Sequence, residues 1–110
     1  MMNGWLILLL AGFFEVGFTT FMKLSDGFTR WGYVALFAIS AILSFSCLAQ
    51  AMKTIPLGTA YAVWTGIGAA GTALIGILIF KDPSSTGRVI FLMALVASIV
   101  GLKFFSPSEP

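Results

Sequence analysis

Histidine is missing from this 110-residue sequence, cysteine occurs once, and charged side chains make up 9% of it. Each shortage excludes something. Without histidine, and with Cys47 as the sole thiol, no side chains stand at metal-ligand spacing and no disulfide can form within the chain. No nucleophile has a base beside it, so neither an enzyme nor a cofactor is expected. Six Lys/Arg against four Asp/Glu give a net charge of +2, too small and scattered to track a phosphate backbone. Nucleic acid is thereby removed as a partner. Cys47, in "SFSCLAQ", reads as a small core filler.

Apolar residues are what the chain has in abundance. They make up 59% of it, and the mean hydropathy of +1.04 is more than a water-soluble domain of this size can cover with polar surface. An integral membrane protein follows. The opening "MMNGWLILLLAG" has no basic run before its apolar residues, so the first segment is expected to be retained rather than cleaved as a signal.

Four apolar stretches, near 4–22, 31–52, 59–80 and 86–105, each approach the ~20 residues that a helix needs to cross the hydrocarbon core. Between them, "KLSDGFTR", "KTIPLG" and "KDPSSTGR" carry turn chemistry in Asp26-Gly27, Pro56, Gly58, Pro83 and Gly87. The expectation is an all-α membrane protein, one four-helix domain over 1–110, with successive helices running up and down. Ser84 or Ser85 is placed to cap the fourth helix, and "SPSEP" reads as a polar tail. A β-barrel would need strands of alternating polarity, which the sequence does not contain.

Lysine and arginine are distributed almost evenly. The first and third loops share one side and hold Lys23, Arg30, Lys81 and Arg88, while the other side holds Lys53 and Lys103. Four against two favours cytoplasmic first and third loops only weakly, and it also fits insertion in both orientations.

Within "AGFFEVGFTTFMK", Glu15 is alone among apolar or small residues. It lies eleven residues past Gly4, so at 1.5 Å per residue it sits about 16 Å into a core about 30 Å thick. An ionisable group at that depth costs about 2.5–3.5 kcal/mol on insertion scales and normally faces a partner or a wet cavity. None of the six Lys/Arg lies at comparable depth. Protons and a mobile cation then make mutually exclusive claims on one carboxylate; the alternative is a protonated glutamate serving as interhelical glue. Helical spacing puts Gly12 and Thr19 near the Glu15 face, with Thr19 as a hydrogen-bond donor.

A second cluster occupies "GTAYAVWTGIGAAG", where Tyr61, Trp64, Thr65 and Gly68 fall on one helical face. Tyr61 offers a hydroxyl, and Trp64 a π face and an N–H, both suited to a cation and a carboxylate. An interfacial aromatic belt is the other reading. Ser40 and Ser44 share a face of the second segment and can extend a hydrogen-bond network towards Glu15 or bond back to their own helix. Gly66 and Gly68 signal close helix packing, or a kink in the helix lining the site.

These motifs resemble the small multidrug resistance family of four-helix proton-coupled exporters over nearly the whole chain. "FEVGFTTFMKLSDGFTR" looks like its first helix and loop, "KTIPLGTAYAVWTGIGAAG" like its third-helix signature and "GLK" like the end of its fourth helix. The resemblance implies an antiparallel, dual-topology dimer in a bacterial inner membrane. One binding site would lie between two Glu15 side chains, with roles for Tyr61, Trp64 and Ser44. "TAYAVWTGIGA" and "GLK" are similar to the guanidinium-exporting, SugE-like branch, whereas "TTFMKLSDGFTR" is closer to the quaternary-ammonium branch. Phe18 stands where guanidinium exporters usually carry tryptophan, which keeps the aromatic face and omits the N–H donor. The function so implied is proton-coupled antiport of guanidinium, alkylguanidinium or quaternary ammonium ions by a homodimer or by half of a heterodimer. A structural membrane subunit or a passive pore is the alternative.

Overall fold

The computed structural model describes residues 3–105, which form four α-helices: α1 Gly4–Leu24, α2 Trp31–Ala51, α3 Leu57–Leu78 and α4 Thr86–Phe105. No strand occurs among the described residues. All four helices are long and apolar enough to span a bilayer, so this is a multi-pass membrane protein. The polar tail expected from Ser106 onward lies outside the described residues.

Helix ends differ from the expected bounds where local caps decide. Asn3 accepts the Leu6 N–H through Oδ1 at 3.0 Å and opens α1. The helix continues past Met22 to Leu24 because the buried Ser25 closes it, its Oγ donating to the Met22 carbonyl at 2.7 Å and accepting the Phe28 N–H at 3.0 Å. Asp26, Gly27 and Phe28 then all take positive φ, which reverses the chain within a few residues. α3 starts at Leu57 rather than Thr59, since Pro56, extended at ψ 144°, stands directly before the first turn and accepts the Ala60 N–H. Gly58 is helical, not part of the loop. α3 stops at Leu78, before Phe80, and Lys81 follows with φ 62°. Ser85 accepts the Arg88 N–H and caps α4.

α1 packs on α2 and α3, while the α4 backbone approaches only α3. The core gathers Leu8 and Ala11 from α1, Leu48 and Ala51 from α2, and Ala60, Val63 and Trp64 from α3, with Cys47 and Ile99 partly buried against it. Close approach of α1 and α3 depends on small residues: a Cβ on Gly12 would stand 2.5 Å from Ile67, and one on Gly71 the same distance from Val16. No residue of α4 is buried. Its far end is joined to the start of α1 by Lys103, whose Nζ lies 5.3 Å above the Trp5 ring. The described chain measures 45 × 35 × 20 Å, and its shortest dimension is about two helix diameters. Such a slab presents grooves but encloses no pathway.

Candidate functional site

Glu15 lies on the α1 face that meets α3, midway along the helix. Its carboxyl group rests on Gly68: a Cβ there would clash with the Glu15 carboxyl carbon and both oxygens. Glycine is therefore required for this contact. Oε1 is buried and accepts no hydrogen bond, and among the described residues the carboxylate has no ion-pair partner. A polar atom withdrawn from water without a partner is costly, more so in a bilayer. It leaves acceptor capacity for something outside the protomer.

The carboxyl group opens into a groove of about 380 Å³ along α3, lined by Glu15, Thr19, Thr65, Gly68 and Thr72 and reaching Asp82 and Arg88. Thr19 does not donate to the carboxylate as its spacing suggests. Its hydroxyl lies 3.0 Å from the Val16 carbonyl and 2.7 Å from Thr72 Oγ1, so it ties α1 to α3 one turn beyond Glu15. Thr65 falls on the Tyr61, Trp64 and Gly68 face as the sequence indicates, whereas Thr72 was given no part in the site, because a lone threonine in an apolar helix usually bonds its own backbone.

Ser44, Trp64, Phe18 and Tyr61 form a second group. Ser44 is fully buried and donates to the Ala11 carbonyl at 2.6 Å; Trp64 Nε1 donates to Ser44 Oγ at 2.9 Å. The indole N–H thus serves Ser44, not Glu15. This chain of bonds crosses all three inner helices and holds α1 one turn before Glu15. Aromatic rings follow one another from Phe18 to Phe45 at 5.9 Å, from Phe45 to Trp64 at 5.5 Å and from Trp64 to Tyr61 at 5.7 Å. Phe45, absent from the sequence reading, is the middle member; its position beside Ser44 was the available signal. Tyr61 is 55% exposed and makes no bond to Glu15 within the protomer. Ser40 packs against Gly17 and does not extend the network.

α3 is an unbroken helix through Gly66 and Gly68. The two glycines admit different neighbours. Gly68 receives Glu15 from α1, and Gly66 receives Ile99 from α4, whose Cδ1 would stand 2.7 Å from an added Cβ. No group of metal-ligating side chains exists among the described residues.

The family described as Small Multidrug Resistance protein matches residues 3–96. Curated relatives include guanidinium exporters from Citrobacter freundii and Salmonella typhimurium, each 46% identical over 99 residues, spanning 90% of this chain and 94% of the relative. Another, from Yersinia pseudotuberculosis, is 44% identical over 102 residues, spanning 93% of this chain and 98% of the relative. With four spanning helices, a mid-helix carboxylate and a match over most of its length, the chain belongs to the small multidrug resistance family.

Proposed function

We propose that this protein is a proton-coupled antiporter that exports guanidinium and small alkylguanidinium ions across the plasma membrane of a bacterium. The observation that carries the reading is Glu15 Oε1, buried against Gly68 with no partner from the protein. A proton satisfies that oxygen in one state and an organic cation in the other, so the two exclude each other and their gradients become coupled. Guanidinium suits the site because its planar N–H fork matches a carboxylate in two parallel hydrogen bonds. The names of the relatives, 46% identical, support the same class of substrate. Phe18 and Phe45 add π faces without further donors, which favours the inclusion of alkylated guanidinium and hydrophobic ammonium ions.

The working unit in this reading is an antiparallel homodimer with its two Glu15 groups facing one another. Its support is threefold: a slab only 20 Å thick, an α4 with no buried residue, and Lys/Arg divided four against two. Alternating access would exchange which end of the paired grooves is open, with the Gly66–Gly68 segment as the place where α3 bends.

The test is accumulation in proteoliposomes. An imposed pH gradient should drive guanidinium against its own gradient in the native protein and not in Glu15→Gln. A passive pore would only dissipate the guanidinium gradient, and that outcome would refute antiport.

A further inference from the structure

The Glu15 groove does not end among apolar side chains. Its far end is formed by Asp82 of the third loop and Arg88 of the first turn of α4, and a second hollow of about 170 Å³ continues from the same threonines past Lys23 and Phe80 to Asp82. Asp82 lines both. Glu15 and Asp82 are the two carboxylates of this track, with Thr19 and Thr72 between them.

Asp82 is held there by the backbone. Lys81, at φ 62°, takes a left-handed conformation that disfavours a side chain, and it folds the chain back so that the Asp82 N–H donates to the Gly76 carbonyl at 2.9 Å. Gly76 leaves room for the carboxylate, because a Cβ there would clash with Asp82 Oδ2. Arg88 Nη2 is 3.8 Å from that oxygen while its Nη1 donates to the Pro83 carbonyl. A separation of 3.8 Å is beyond hydrogen-bond range, and the Asp82 side chain remains 47% exposed, so the carboxylate is free to attract another cation.

Besides Asp82, the charged side chains that line this mouth or adjoin Asp82 in sequence are positive: Lys23 in the second hollow, Lys81 next to Asp82 in the chain, and Arg88. Three cations and one carboxylate sum to +2; removal of the carboxylate leaves +3. Charges this close lie within a Debye length of one another, so each acts on an approaching ion.

We propose that Asp82 is the entry carboxylate of the groove, a specificity-determining residue that draws organic cations past Lys23, Lys81 and Arg88 towards Glu15 without binding them in the final site. The inference rests on Glu15 as the cation site. In an antiparallel dimer, each side of the membrane has one such mouth.

The experiment uses the full-length protein and guanidinium chloride as probe, with initial uptake rates in proteoliposomes and equilibrium titration in detergent. Asp82→Asn should lower kcat/KM about tenfold at low ionic strength and leave the equilibrium Kd unchanged. The deficit should shrink as KCl is raised. Arg88→Gln should transport at least as fast as the native protein at low salt, and the double variant should recover much of the Asp82→Asn loss. A rate unaffected by Asp82→Asn, a loss independent of salt, or an equal loss in Kd would overturn the proposal. Glu15→Gln in the native loop keeps the two readings apart: loss of guanidinium binding supports the Glu15 site whatever Asp82 does, whereas retained binding overturns that site and the entry role with it.

Discussion

Gly68→Ala adds one methyl group to α3, and the structure specifies where it goes. The new Cβ would clash with the Glu15 carboxyl carbon and with both of its oxygens. Either Glu15 leaves its rotamer or α1 and α3 separate, and Gly12 against Ile67 and Gly71 against Val16 already fix that helix spacing. Forcing a methyl group into a packed contact typically costs about 1–3 kcal/mol. If the cation-bound state bears that cost, affinity for guanidinium falls by about 5- to 150-fold at 1.4 kcal/mol per decade. Gly66→Ala is the control, because its Cβ would meet the flexible end of Ile99 on α4, away from Glu15. Equilibrium titration of both variants in detergent measures the difference. Native affinity in Gly68→Ala, or equal losses in the two variants, would refute the placement of Glu15 on Gly68.

Other outcomes follow from neighbouring contacts. Ser44→Ala removes the acceptor of Trp64 Nε1 and the donor to the Ala11 carbonyl. The Ala11 carbonyl keeps its helical N–H partner, but the orphaned indole N–H, at about 1–3 kcal/mol, should lower the thermal midpoint in detergent, and an unchanged midpoint would contradict the bond network. Lys103→Met should loosen the end of α4 by about 0.5–1 kcal/mol through loss of the contact with Trp5, read as faster amide hydrogen exchange in the last turns of α4. Competition also fixes the sign of the pH dependence. Below the carboxyl pKa the proton occupies Glu15, so apparent guanidinium affinity should fall about tenfold per unit of acidification and level off above it. A pH-independent Kd would show that proton and cation use different sites.

The four spans and the exceptional Glu15 were legible because each rests on a strong contrast: long apolar runs broken by Asp26-Gly27, Pro56 and Pro83, and one carboxylate inside the first run. Helix ends were less so. Asn3 and Ser25 act through one or two side-chain hydrogen bonds that leave no mark on hydropathy. The inward faces were the least legible, for a reason particular to membranes. Lipid tails are as apolar as a protein core, so no polar stripe separates the side of α3 that meets α1 from the side that meets lipid. Small-residue spacing showed that α3 packs closely, and it did not tell that Gly68 receives Glu15 while Gly66 receives Ile99. The N–H that Trp64 offers likewise had no acceptor assigned from the sequence, since that acceptor, Ser44, lies on another helix.

The most direct test of the account is proton release on binding. Purified protein in weakly buffered detergent, held below the carboxyl pKa and mixed with guanidinium chloride, should release protons as cation replaces them at Glu15, and Glu15→Gln should release none. Guanidinium binding with no proton release from the native protein, or equal release from Glu15→Gln, would contradict exchange at this carboxylate.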